Sequence, residues 1–221
     1  DPLVDWILLL EQCLNGFQLG VLLFMLAAGL TLTFGIMDFV NLAHGSFYML
    51  GAFLSATFAV WTDSYWLGVV LALPVVALLG MLVERTTLRT LYQRDHLHQV
   101  LATFGLILFF NQFVQAVWPL DGMTVAVPNA LSKTVMLPFG IEYSSFRLMI
   151  IGCGLLVALV LWFLVSKTRV GMRVRAGASN RRMAQALGIN IPLLFTVVFG
   201  FGAMLAGLAG MLVAPILGAN S

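Results

Sequence analysis

The residues able to do chemistry in this chain are few and gather in two places. The first is Gly35-Ile-Met-Asp38-Phe-Val-Asn41-Leu-Ala-His44-Gly45-Ser46. An amide, an imidazole and a carboxylate next to glycines, between two apolar runs, suggest a helix broken within or at the edge of a bilayer, where freed backbone groups must be buried in protein or line a wet cavity. The other reading is a turn in which Asn41 caps the next helix and His44 makes a local hydrogen bond. Asp38, His44 and Ser46 supply the acid, imidazole and hydroxyl of a hydrolase, but positions 44 and 46 do not face each other on a helix. His96 and His98 lie beside Asp95 at the start of an apolar run, as interfacial anchors do. No H-E-x-x-H occurs, and no metal or cofactor is expected.

The second place is TRVGMRVRAGASNRRMAQALGINIP, beginning at Thr168. Ser179-Asn180 followed by Arg181 to Leu187 reads as a short capped helix, closed by Gly188. Such a helix between two spans serves either as a solvated anchor or as a docking element for a partner. No G-x-x-x-x-G-K-[ST] is present, so any nucleotide that drives this protein is hydrolysed on another chain.

The elements that must position these residues follow from composition. Of 221 residues, 61% are hydrophobic and 9% charged, against roughly 25% charged in an ordinary soluble domain. The chain therefore belongs in lipid, and no nucleic-acid partner is expected. Charges are costly inside a bilayer, so uncharged windows mark spans: 12–37, 39–62, 64–83, 96–120, 148–166 and 183–221. The expectation is a single all-α polytopic domain over 1–221 with about six spans: 14–36, 44–61, 65–83, 97–117, 147–165 and 191–213. The last window should break near Pro215, Gly218 and Asn220.

Nine of the 11 basic residues fall in two clusters, Arg85 to Arg94 and Lys167 to Arg182. Placing both on the cytoplasmic side puts the N-terminus outside, with an external loop 118–146 and a cytoplasmic loop 166–190. The external loop, with Pro119, Pro128 and Pro138 and the β-rich runs 124–127 and 134–137, reads as a small lid or hairpin. Pro74 should kink the third span, while Asn190 and Pro192 suit the start of the last. There Gly202, Ala206, Gly210 and Ala214 recur every four residues, a stripe along which another backbone can approach on one face. Cys13 and Cys153 read as packing residues. The start at Asp1, with acidic first charges, indicates a trimmed chain without a secretory signal.

At this point a family resemblance is visible. GLTLTFGIMDFVNLAHGSFYMLGAF resembles the N-x-A-H-G signature of branched-chain amino-acid ABC importer permeases of the leucine/isoleucine/valine type. LATFGL at 101–106, GMRVRAGASNRRMAQALGIN and FGFGAMLAGLAGMLVAP are similar to later stretches of that family, in the same order. The resemblance implies a multi-pass bacterial inner-membrane permease, not an enzyme, working with a second permease subunit, two ATPase subunits and an external solute-binding protein. It also implies that further spans follow Ser221, so that this chain is C-terminally truncated. By the same resemblance Asn41, His44 and Gly45, with Gly35, belong to the broken translocation region. Arg175, Ala176, Arg182, Ala184, Leu187 and Gly188 belong to the ATPase-coupling segment, while the spacing of Gly202, Ala206 and Gly210 assigns them by itself to helix packing. The solute would be a branched-chain amino acid, urea or an amide. The rivals are a self-contained secondary transporter or channel, for which only Asp38 offers a coupling carboxylate, and a non-transporting assembly subunit.

Overall fold

The computed structural model describes residues 2–118, 123–138 and 140–218. Pro119 and Asn220 lie outside them. Helices α1 (Pro2–Met37), α2 (His44–Thr62), α3 (Tyr65–Val83), α4 (His96–Val117), α5 (Ser145–Lys167), α6 (Arg169–Ser179), α7 (Arg181–Ala186) and α8 (Ile191–Gly218) carry the fold. A π-helical turn, Glu84–Leu88, and a 3-10 turn, Arg89–Leu91, extend α3, and a third short turn spans Asn129–Leu131. Five helical stretches are long and apolar enough to cross a membrane: Trp6–Met37, Tyr65–Leu91, His96–Val117, Ser145–Lys167 and Ile191–Ile216. The chain is a polytopic helical membrane protein.

Helix α2 is not among those five. It carries His44, Ser46, Ser55, Thr57 and Thr62, and Ser55 and Thr57 spend their hydroxyls on the preceding turn, at Ala52 and Phe53 carbonyls. That internal bonding lets a less apolar helix sit inside the bundle, against α3 and α8.

Helix α8 is the hub, and small residues make it one. A Cβ on Gly51 of α2 would overlap the Gly207 carbonyl oxygen, and one on Gly202 would lie 2.8 Å from the Gly29 carbonyl oxygen of α1. On another side, Gly80 of α3 meets the Ala203 methyl, and Gly210 meets the Tyr48 carbonyl of α2. The small residues therefore serve α1, α2 and α3 at once, and the one packed face expected from the repeat is too narrow. Ala203, Ala206 and Ala209 are fully buried. With lipid as apolar as the side chains themselves, close van der Waals approach is what binds such helices together.

Three local expectations change. Helix α8 continues through Pro215 to Gly218 instead of breaking there. Proline removes the donor that would satisfy the carbonyl four residues back, and the Tyr65 hydroxyl donates to that carbonyl, Met211 O, at 3.0 Å. The hairpin pairs Thr134–Leu137 (β1) with Ile141–Ser144 (β2), antiparallel, whereas 124–127 forms no strand. Gly140 at φ +77° makes the reversal that brings those two runs together. The segment 166–190 is helical for most of its length, since α6 precedes the short helix read from the sequence; Thr168 starts it by accepting from Gly171 N.

Replacing Gly51 with Ala should push α2 off α8 and cost about 2 kcal/mol, the usual scale of overpacking. Gly105→Ala, where a Cβ meets nothing within 4 Å, should leave stability unchanged or slightly raised. Thermal unfolding of the two variants in detergent measures the difference.

Candidate functional site

Helix α1 stops at Met37 because Asp38 takes a left-handed conformation, φ 50°, one that Asp tolerates better than most residues. Its N–H still bonds Phe34 O at 2.9 Å, so Asp38 acts as the helix terminator. The chain then runs without helix through residues 38–43, and half of this stretch is buried: Phe39 is 1% exposed, Asn41 4% and Ala43 1%. Helix α2 begins at His44, whose ring Nε2 is 2.9 Å from Leu26 O. Leu26 lies eleven residues before the end of α1, about 16 Å back along its axis. The segment 38–43 thus folds back along α1, and α2 starts inside the bundle. The His44 contact reaches across to α1 and is not the local bond of the turn reading.

Each freed backbone group here needs a partner from elsewhere. The Val40 N–H donates to Gln99 Oε1 of α4 at 3.4 Å, and Gln99 Nε2 donates in turn to the Leu91 and Arg94 carbonyls. The Ala43 N–H donates to Asn41 Oδ1 at 3.0 Å. Asn41 therefore folds over its own turn; the residue preceding α2 is Ala43, which offers no side-chain cap. One group is left over: Asn41 Nδ2 is buried with no hydrogen-bond partner among the described residues. An unmet buried donor costs free energy until something polar meets it.

Of the four residues assigned to the break, Asn41 and His44 are buried. Gly45 is exposed in the first turn of α2. Gly35 lies apart, helical in α1 and lining a cleft of about 530 Å³ with Asp38, Asn180, Arg181 and Arg182.

The arginine-rich end carries the second constellation. Asn180 Oδ1 accepts from Met183 N at 3.0 Å to start α7. Two crossed bonds, Ile189 N to Ala184 O and Gly188 N to Gln185 O, close it at Gly188, φ +88°. The six coupling residues divide by exposure. Arg175 and Arg182 are exposed, and Leu187 is 76% exposed, beside an exposed Met183 that the sequence did not single out. Ala184 is 2% exposed and Ala176 half-buried, so these two seat the helices on the bundle. Leu187 and Met183 make an apolar projection rimmed by guanidinium groups, a surface that solvent alone does not favour.

Sequence reading missed the groups linking the two constellations. The buried carboxylate of this end is Glu84, 0% exposed, and not the exposed Asp38. Tyr92 Oη and Thr196 Oγ1 each donate to Glu84 at 2.6 Å, and Arg89 donates to both of its oxygens at 3.4 Å. Burial, and behind it the bond to Glu84, push the Tyr92 phenol far above its ordinary range, so it remains the donor. Arg89 follows Glu84 by five positions, one more than an α-helical ion pair uses. The π-helical turn supplies the extra residue, with Arg89 N bonding Glu84 O. No sequence signal marked that turn. The Tyr92 ring meets Phe39 of the break at 5.6 Å and Phe195 of α8 at 5.5 Å, both edge to face.

Among the described residues no group of His, Cys, Asp or Glu is placed to hold a metal. His96 and His98 are exposed on the first turn of α4.

Comparison with known proteins accounts for this combination. The chain is 28% identical over 222 residues to the high-affinity branched-chain amino acid transport system permease protein LivH of Escherichia coli, covering 95% of this chain and 71% of that one. It is 29% identical over 216 residues to the corresponding protein BraD of Pseudomonas aeruginosa, covering 92% and 70%. A shorter match, 30% over 130 residues and 56% of this chain, is to the D-allose transport system permease protein AlsC of Escherichia coli. No solved structure matches. The family described as "Branched-chain amino acid transport system / permease component" matches residues 12–221, which takes in the break, the exposed short helix and the glycine-packed α8 alike, and the chain belongs to that family.

Proposed function

We propose that this chain is one permease subunit of an ATP-driven importer for branched-chain amino acids in a bacterial inner membrane. It works by alternating access with a second permease subunit, two ATPase subunits and an external solute-binding protein. The observation that carries this reading is the pairing of a buried broken segment, holding an unmet donor at Asn41, with an exposed apolar projection on a capped helix at the arginine-rich end. The positive-inside rule makes that end cytoplasmic and the hairpin end external. Met183, Leu187, Arg175 and Arg182 then face the ATPases. ATP-driven closure of the ATPases shifts α7, and the bundle around α8 tilts to expose the path to one side at a time. Asn41, His44 and Gly45 belong to the path, and the Asn41 amide is a suitable donor for a solute carboxylate. The external protein sets affinity, and the permease binds weakly.

Branched-chain amino acids are favoured over a sugar because the relatives named for them match over more than nine-tenths of this chain. A secondary transporter needs an available carboxylate inside the bundle. Glu84 is buried, but both its oxygens accept from Tyr92, Thr196 and Arg89, so it is already committed.

Two measurements test the reading. Leu187→Asp combined with Arg182→Glu should abolish co-purification of the ATPase pair while membrane abundance stays unchanged; retention of the pair would refute the docking assignment. In cells carrying the whole importer, His44→Leu should lower leucine uptake roughly tenfold, the scale of one lost hydrogen-bonding group in a desolvated site, at equal abundance. Uptake of D-allose or urea in place of leucine would redirect the solute assignment.

A further inference from the structure

At the end of α1 one rung of the helical ladder is divided between two side chains. In a continuing helix the Val40 N–H would donate to the Ile36 carbonyl. Instead Val40 N–H donates to Gln99 Oε1 of α4 at 3.4 Å, and the Ile36 carbonyl accepts from the Arg181 guanidinium of α7 at 2.9 Å. Arg181 lies over the Phe195 ring, its Cζ 5.3 Å from the centroid, a cation–π contact that helps hold the guanidinium in place. Among the described residues this is the one side-chain hydrogen bond from α7 to a spanning helix. A carbonyl in the last turn of a helix has no partner of its own, and a charge-assisted bond to it is among the stronger ones available.

We propose that Arg181 is the positioning residue through which movement of α7 reaches the broken segment. It holds the Ile36 carbonyl away from Val40 and so keeps α1 terminated at Met37. When α7 moves, Arg181 withdraws with it, the Ile36 carbonyl loses its donor, and α1 is free to take up Val40 and rewind into the break. Residues 38–43, with Asn41, then change position. Arg181 touches no solute and lies beside the docking surface without belonging to it. Phe195, Tyr92 and Phe39 form a second, apolar line between the same elements, which keeps the end of the break packed while its hydrogen bonds change.

This inference rests on the functional reading in that α7 must be the element that the ATPases move. The test uses the whole importer in lipid nanodiscs and follows amide hydrogen exchange of residues 36–44 with and without ATP and vanadate. With Arg181 present, nucleotide should change exchange in that segment roughly tenfold, the factor one charge-assisted hydrogen bond is worth. Arg181→Met should keep the ATPases bound and hydrolysing ATP but lose the response in 36–44. Arg181→Lys, which keeps a charged donor, should restore most of it, as a merely structural role would not require. Should Arg181→Met fail to accumulate, Arg181→Gln, too short to reach the carbonyl from the same backbone, is read in its place. An unchanged response in Arg181→Met, no response in the unaltered importer, or Arg181→Lys behaving as Arg181→Met would each overturn the proposal. Loss of bound ATPases in Arg181→Met would make Arg181 a docking contact, which also overturns it but leaves the functional reading standing. Failure of the unaltered permease to hold any ATPase would strike the functional reading itself.

Discussion

Backbone amides freed inside a bilayer have no water to turn to, and the arrangement of this molecule's arginine-rich end follows from that constraint. Once Asp38 ends α1, the residues up to Ala43 run partly through protein interior, and their buried N–H and C=O groups must be satisfied. Gln99 comes from α4 to hold Val40, Asn41 bends over Ala43, and His44 reaches a carbonyl deep in α1. Each of these side chains is itself buried, which is why an otherwise apolar chain keeps polar residues at those positions.

The surrounding helices are held rigidly enough to make such bonds reliable. Close backbone approach at Gly29, Gly51, Gly80, Gly202 and Gly207 ties α1, α2 and α3 to α8. The Glu84 network welds the end of α3 to the start of α8 through Thr196. Its four hydrogen bonds offset the cost of hiding a carboxylate, and removing any single donor would leave charge or polarity uncompensated. Against this framework, α6 and α7 are the helices with solvent-facing surface at the arginine-rich end, and the break is the segment with an unmet donor. A transporter needs one part that partners can push and another that can rearrange, joined by something stiff.

Much of the fold was legible beforehand because its physics is one-dimensional. Charge is excluded from lipid, so five of the six gaps between charged residues mark the centres of the helices that now appear as Trp6–Met37, Tyr65–Leu91, His96–Val117, Ser145–Lys167 and Ile191–Ile216, while the sixth, 39–62, holds the less apolar α2. The short helix at 181–186 was equally readable, since Asn180 and Gly188 act on neighbours in sequence. What escaped were features that depend on a distant partner. Pro215 reads as a breaker until Tyr65 arrives at Met211 O, and the run 124–127 reads as a strand until 141–144 pairs with 134–137 instead. Glu84 reads as the border of a window until a π-helical turn brings Arg89 to it.

By itself, the sequence determined that this protein lives in a membrane, roughly where its apolar helices lie, and which two polar constellations it carries, because hydropathy, capping and turn preference act between near neighbours. Only the tertiary structure decided that the constellations are connected. Arg181 meets Ile36 across 145 residues, Gln99 meets Val40 across 59, and Tyr92 stands between Phe39 and Phe195. Those pairings depend on which helix faces which, and that is settled by the small residues that let α1, α2 and α3 close on α8.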